Sequence, residues 1–264
     1  MLSEEEAIKA LIYDNVNVTE SNPLKDLLKI VFQLMVYIVI AYFSIFFLTG
    51  FIIKNLSNTQ QQWLERAIAN TSSVETIVID GAEKERLQKI KNKILESDLD
   101  FPKTSAIDIG IIDHKQKNAL CYPNGNIYIT NSLYKYLTTD EMLTFVIAHE
   151  MAHYKNRDHL MNLRKSIASN FVILTIAIAG TDASNVDKLV SSSLDLADMK
   201  YSRGKEASAD RYAAKILKNI YGSVEGGIQV IKILSQGDYF DEFDFLSTHP
   251  SLKRRLLYLN KVNR

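Results

Sequence analysis

The sequence predicts an α+β fold: a mainly helical domain with a small β-sheet, preceded by one transmembrane helix. Three observations carry that prediction. One uncharged apolar run of 24 residues stands near the start, at 30–53. Three short runs, 74–80, 107–113 and 126–130, read as strands. Most of the remaining chain has the spacing of helices. At 264 residues there is room for one full-sized domain and an accessory segment. The 31 basic and 31 acidic side chains cancel, which excludes nucleic acid as the main partner, because phosphate binding needs an excess of Lys and Arg. One cysteine makes neither an internal disulfide nor a Cys-rich zinc module.

Taken in order, residues 1–29 form an acidic leader with a short helix before Pro23. Residues 30–53, IVFQLMVYIVIAYFSIFFLTGFII, form the transmembrane helix. As a helix they reach roughly 36 Å, against about 30 Å of bilayer hydrocarbon. A cleaved signal peptide has a shorter apolar stretch and no acidic leader, and soluble core helices are rarely this long and uncharged. Lys9, Lys25 and Lys29 precede the span, and Lys54 and Arg66 follow it. The positive-inside rule thus puts the bulk of the chain on the non-cytoplasmic side, by one residue. Residues 54–73 suit a juxtamembrane linker helix, and 74–264 make the main domain. In that domain 74–80 is a strand, 82–95 a helix, and 107–113 and 126–130 are strands flanking a turn at 122–125. Thr139 and Asp140 then start a helix running to about Tyr154. A second apolar run, 167–179, reaches only about 20 Å as a helix and reads best as a buried helix. A segment that dips into or crosses the bilayer is the other reading.

The chemistry lies in the helix that starts at Asp140. His149-Glu150-Met151-Ala152-His153 is an H-E-x-x-H pattern. Two histidines four residues apart project from one helix face and can reach one zinc ion, one per chain. Glu150 can reach a water on that ion without ligating it, as a general base. With 5 histidines in the chain, the pattern is expected by chance roughly 0.005 times. A catalytic zinc site needs a third protein ligand. Downstream, Glu206 and Asp210 lie one turn apart in KEASAD, on a second helical pattern. Glu206 is the expected third ligand, and Asp210 the carboxylate that holds a ligand histidine, most simply His149. His114 and His159 are expected to be solvent-exposed.

HEMAH, a gap of about fifty residues, SRGKEASAD and then STHPSLKRRL resemble zinc metallopeptidase family forty-eight, a gluzincin family with HExxH and a downstream ExxxD. HtpX, BepA, the Oma-type proteases and the CAAX prenyl endopeptidases belong to it. NALCYPNGNIYIT, 118–130, is similar to the family's strand region upstream of the zinc helix, with Cys121-Tyr122 in place of a more usual Ala-Leu. The resemblance covers roughly 75–260, and the single early span looks more like the BepA and Oma-type branch. It implies a zincin-like metallopeptidase domain with His149, His153 and Glu206 on zinc and Glu150 as base. It also implies that His249, Arg255 and Asn118 lie near the site. His249 is then a candidate donor to the tetrahedral oxyanion, or a packing histidine before Pro250. The stretch Asn126, Ile127, Tyr128 and Ile129 resembles the zincin edge strand that aligns an extended substrate. The segment 180–203, between the ligands, is a candidate cover for the cleft.

These readings imply a membrane-anchored zinc endopeptidase acting on polypeptide substrates, misfolded or membrane-associated proteins among them, as part of protein quality control. A membrane-anchored zinc-binding chaperone or adaptor without turnover is the rival, and it has no need of Glu150 beside the metal. A prenyl-protein processing protease is the other, and it would need a multi-span chamber. The bilayer is the expected partner; the oligomeric state is not written in the sequence.

Overall fold

The computed structural model describes residues 3, 5, 22–70, 81–102, 107–179, 201–235, 249 and 252–263. The strand expected at 74–80, most of the leader helix before Pro23, and most of the candidate cover at 180–203 lie outside the described residues. The rest is mainly helical around one small mixed sheet, the fold class expected from the sequence.

Helix α1 (Pro23–Asn55) opens on Asn22, whose side chain accepts from the backbone N–H groups of Leu24 and Lys25 at 3.2 and 3.3 Å, with proline in the first turn. It is 33 residues long and overruns the expected 30–53 at both ends. Backbone hydrogen bonding is indifferent to side-chain charge, so the helix carries on through Lys25, Asp26, Lys29 and Lys54. No residue in it is buried. Phe32 and Phe51 are 65% and 68% exposed, so this is no core helix of a soluble protein. Among the described residues it is the helix long and apolar enough to cross a membrane.

The linker expected at 54–73 is broken. The chain turns at Leu56–Ser57 and α2 (Asn58–Asn70) follows. Ser57 and Gln60 cap it reciprocally: the Ser57 N–H donates to Gln60 Oε1 at 2.9 Å and the Gln60 N–H to Ser57 Oγ at 3.3 Å. Gln61 Nε2 donates to the carbonyls of Ile53 and Leu56, which pins the corner.

The sheet has strands β1 (Ile109–Ile112), β2 (Ala119–Cys121) and β3 (Ile127–Thr130) in the order β1-β3-β2. β1 runs parallel to β3 and β2 antiparallel to it. The stretch 126–129 is therefore no edge strand: Ile127, Tyr128 and Ile129 are paired on both sides, and within the described sheet β2 is an edge. Ile109, Ile111, Ile127 and Ile129 turn inward onto α3 (Gly81–Ser97), which contributes Leu87, Ile90 and Ile94. A single turn, α4 (Asn131–Tyr134), leads out of β3.

Helix α5 (Asp140–Lys155) is the axis of the domain. Thr139 caps it, accepting from the Met142 N–H at 3.3 Å, and Asp140 and Glu141 lie in its first turn. Every residue from Met142 to Tyr154 is buried, because α3, the sheet, α7 (Arg203–Tyr221) and α8 (Glu225–Ser235) surround it. α8 approaches closely through glycine: a Cβ on Gly226 would lie 2.4 Å from that of Glu141. α9 (Leu252–Val262) closes the core over α7 and α8.

The apolar run 167–179 is not the buried core helix that its length suggested. It is the far end of α6 (Asp158–Ala179), which packs along α1. Ile167 and Phe171 are 37% and 42% exposed while Ala168 is buried.

Candidate active site

α5 places His149 and His153 one turn apart, and α7 brings Glu206 to face them across the most extensive helix contact of the domain. His149 Nε2 and His153 Nε2 lie 3.2 Å apart. Glu206 Oε2 lies 3.4 Å from the first nitrogen and Oε1 3.3 Å from the second. All three side chains are about 1% exposed. Ligand atoms at about 2.0–2.1 Å from one tetrahedral ion are about 3.3–3.4 Å from each other. The triangle of side chains, with one Glu206 oxygen turned to each nitrogen, therefore fits a single metal ion.

A second layer holds the triangle. His149 Nδ1 donates to Asp210 Oδ1 at 3.1 Å, and His153 Nδ1 donates to Asp158 Oδ2 at 2.8 Å. Each bond fixes the tautomer that leaves Nε2 for a ligand. Arg255, on α9, grips Asp210 with two bonds of 2.8 Å, and its Nη1 lies 3.1 Å from Glu206 Oε2. Lys205 Nζ lies 3.3 Å from Asp158 Oδ1. Tyr201 lies flat on His153, ring centroids 3.8 Å apart and 7° from parallel.

The electrostatics also favour a cation. Among the described residues of this region, four carboxylates (Glu150, Glu206, Asp210 and Asp158) surround the two histidines, with Arg255 and Lys205 as the Arg and Lys partners. Burial and Arg255 press His149 towards neutrality, yet Glu206 and Asp210 carry its pKa up to about 9. Burial raises Glu206, but His249 and His149 hold it far below the usual carboxylate range. Burial lifts Glu150 up to about 7, against the pull of His153 and His149. Both Glu150 oxygens are buried and make no hydrogen bond among the described residues. A dication would offset this excess of negative charge.

The structure brings together His149, Glu150, His153, Glu206, Asp210, His249 and Arg255, all named from the sequence. His249 sits closer to the triangle than an oxyanion donor requires. Its Nδ1 is 2.9 Å from Glu206 Oε1 and 3.3 Å from His149 Nε2, and its Nε2 is 3.6 Å from Glu150 Oε1. Burial pushes its pKa down to about 3, against the pull of Glu206. The four candidate ligand atoms of His149, His153, Glu206 and His249 all lie within 4.8 Å of one another. Asn118 pins β2 to β3: its N–H donates to Thr130 Oγ1 at 2.9 Å and its side chain accepts from the Ala119 N–H at 2.8 Å.

His159 is not exposed as expected. It is 5% exposed, with Nε2 3.2 Å from Glu65 Oε1 on α2 and its ring stacked on Tyr154. His114 is at the surface. Sequence reasoning missed two residues. Asp158 was signalled only by its place five residues after His153, and Tyr201 by being an aromatic just before the KEASAD helix.

The chain matches the model of Peptidase family M48 over residues 81–263. It is 27% identical to the mitochondrial metalloendopeptidase OMA1 of Bos taurus over 190 residues, 67% of this chain and 36% of that protein. To the mitochondrial metalloendopeptidase OMA1 of Saccharomyces cerevisiae it is 29% identical over 152 residues, 54% of this chain and 43% of that one. To the protease HtpX of Legionella pneumophila strain Corby it is 25% identical over 181 residues, 61% of this chain and 62% of that protein. The chain thus spans roughly a third of the mammalian relatives and less than two thirds of each. The motif resemblance is borne out by a match over most of the chain: the protein belongs to Peptidase family M48.

Proposed function

We propose that the chain is a zinc-dependent endopeptidase anchored to a membrane by α1, with His149, His153 and Glu206 holding the ion and Glu150 as general base. The observation that carries this reading is the triangle of His149, His153 and Glu206, whose facing atoms lie 3.2–3.4 Å apart, beside a buried carboxylate with no hydrogen bond among the described residues. A zinc ion held by these residues would supply Lewis acidity to a water and to the scissile carbonyl. Glu150 would take a proton from the attacking water and pass it to the leaving amine. Asp210 and Asp158 keep the two imidazoles turned inward, and Arg255 keeps Asp210 and Glu206 in place. His249 donates from Nε2 to the oxyanion, its Nδ1 being tied to Glu206. An extended substrate pairs with the β2 edge, since β3 is occupied on both sides. Edge pairing selects for unfolded segments, which supports damaged or misfolded membrane-associated proteins as substrates. The one-residue excess of basic side chains before the uncharged run 30–53 supports the non-cytoplasmic face for the domain.

The test is cleavage of casein, or of the chain itself, by purified full-length protein with zinc, with chelator and as Glu150→Gln. Zinc-dependent cleavage that disappears in a Glu150→Gln variant still loaded with metal is expected. Cleavage that persists in that variant overturns the general-base assignment, and metal-replete protein without turnover favours the chaperone reading.

A further inference from the structure

We propose that the corner between α1, α6 and α7 is a binding site for the headgroup of an anionic phospholipid; this rests on reading α1 as a membrane anchor. A cavity of about 420 Å³ opens there. Its wall carries four cationic side chains, Lys54, Arg157, Arg164 and Lys205, against a single carboxylate, Asp158. That carboxylate is engaged by His153 and Lys205. Lys54 and Arg157 have no carboxylate partner among the described residues. Four cations around one cavity repel each other unless an anion enters.

The position along α1 identifies the anion. Gly50, Ile53 and Lys54 line the cavity, and Lys54 follows the last residue of the uncharged run. From Gly50 to Lys54 a helix rises about 6 Å, the thickness of one headgroup layer. Arg164 reaches still deeper. It lies across α1 with Nη2 3.0 Å and Nε 3.3 Å from the Phe46 carbonyl and its guanidinium carbon 4.3 Å from the Phe46 ring centroid. A side chain at position 50 would block it: a Cβ on Gly50 would sit 2.1 Å from that guanidinium. A cation held this low against an apolar helix suits a lipid phosphate at the boundary. Leu160 and Met161 complete the lining with apolar surface, and α1 leaves its apolar flank open for acyl chains. Free phosphate would use the cations but not that surface. Arg157 has φ 54, the left-handed region that Asn and Gly occupy more readily, so a cation is kept where the backbone would favour another residue.

The experiment uses full-length protein in phosphatidylcholine vesicles doped with spin-labelled phosphatidylglycerol or spin-labelled phosphatidylcholine. Flotation reports anchoring, and the motionally restricted signal reports lipid contact. The native protein is expected to prefer phosphatidylglycerol, and Lys54→Gln with Arg157→Asn to lose about fivefold per removed cation. Asn suits the backbone at 157, and zinc content confirms that the double variant is folded. Protein that floats without preferring phosphatidylglycerol overturns the headgroup site and leaves the anchor standing. Protein that does not float removes the anchor and the site together. A preference abolished by inorganic phosphate assigns the cavity to a soluble anion, and one unchanged in the double variant puts the contact elsewhere; either overturns the proposal.

Discussion

Arg255→Met removes one buried charge and keeps most of the side-chain bulk, so its effect follows from the contacts it breaks. Arg255 is 4% exposed and lies between two buried carboxylates, with two bonds of 2.8 Å to Asp210 and one contact of 3.1 Å to Glu206. Removing one partner of a buried ion pair costs about 3–5 kcal/mol, because the charge left behind stays desolvated. At about 2–4 °C per kcal/mol for a domain of this size, the metal-free protein should melt about 6–20 °C lower. Zinc changes the arithmetic. The ion's charge then offsets Glu206 and leaves only Asp210 undercompensated, so the loss should fall to about half. Differential scanning fluorimetry of detergent-solubilised full-length protein, native and variant, with chelator and with zinc, reads both numbers. An equal drop in the two conditions would refute the placement of Glu206 against the ion, and a chelated drop under about 3 °C would refute the buried pair itself.

Asp158→Asn keeps the shape but takes the negative charge from His153 Nδ1, and should weaken zinc binding about 10–100-fold; unchanged affinity in competition with a chromophoric chelator would reduce Asp158 to a helix cap. His249→Ala should retain zinc and lose most of kcat, whereas loss of the metal would make His249 a fourth ligand. Burial works against ionisation of Asp98, but hydrogen bonds from Lys155 and Tyr212 hold its pKa below the ordinary carboxylate value. The folded value being the lower one, this contribution is complete above an unfolded pKa of about 3.9 and is lost as pH falls through the folded pKa. Asp98→Asn should therefore be less stable than the native protein at pH 7 and converge with it in acid; parallel denaturation curves across that range would remove Asp98 from the acid limb.

The candidate metal-site pattern was legible because its logic is local. His149 and His153 must be four apart to share a helix face, and Glu206 and Asp210 likewise, so spacing and chemistry appear together in one short stretch. The family resemblance and the fold class rested on these blocks and on the apolar run of α1, and both are borne out. Asp158 was not legible in the same way. An Asp at the start of a helix already has a reason to be there as a first-turn acid. It reaches His153 only because Arg157 takes a left-handed φ and reverses the chain between α5 and α6.

The remaining misses are pairings between distant parts of the chain. His159 was read as exposed because its partner, Glu65, lies 94 residues away on a helix whose docking no periodicity records. Alternation in 126–130 identifies a strand with one inward face, but a central strand and an edge strand alternate alike. Only the three-residue β2 makes β3 central, and three residues are too few to register as a strand. The run 167–179 is the same problem in another solvent: apolar spacing says that a face is to be kept from water, not whether protein or lipid will cover it. Ala168 is buried on the helix that packs along α1, while Ile167 and Phe171 are exposed. Arg164 lies on the same helix, one turn before Ala168, with its charge against the Phe46 carbonyl. If α1 anchors the chain in a bilayer, a helix that turns apolar side chains outward on one stretch and holds a cation against α1 on the preceding turn would have the boundary between two media running across it, at the cationic cavity.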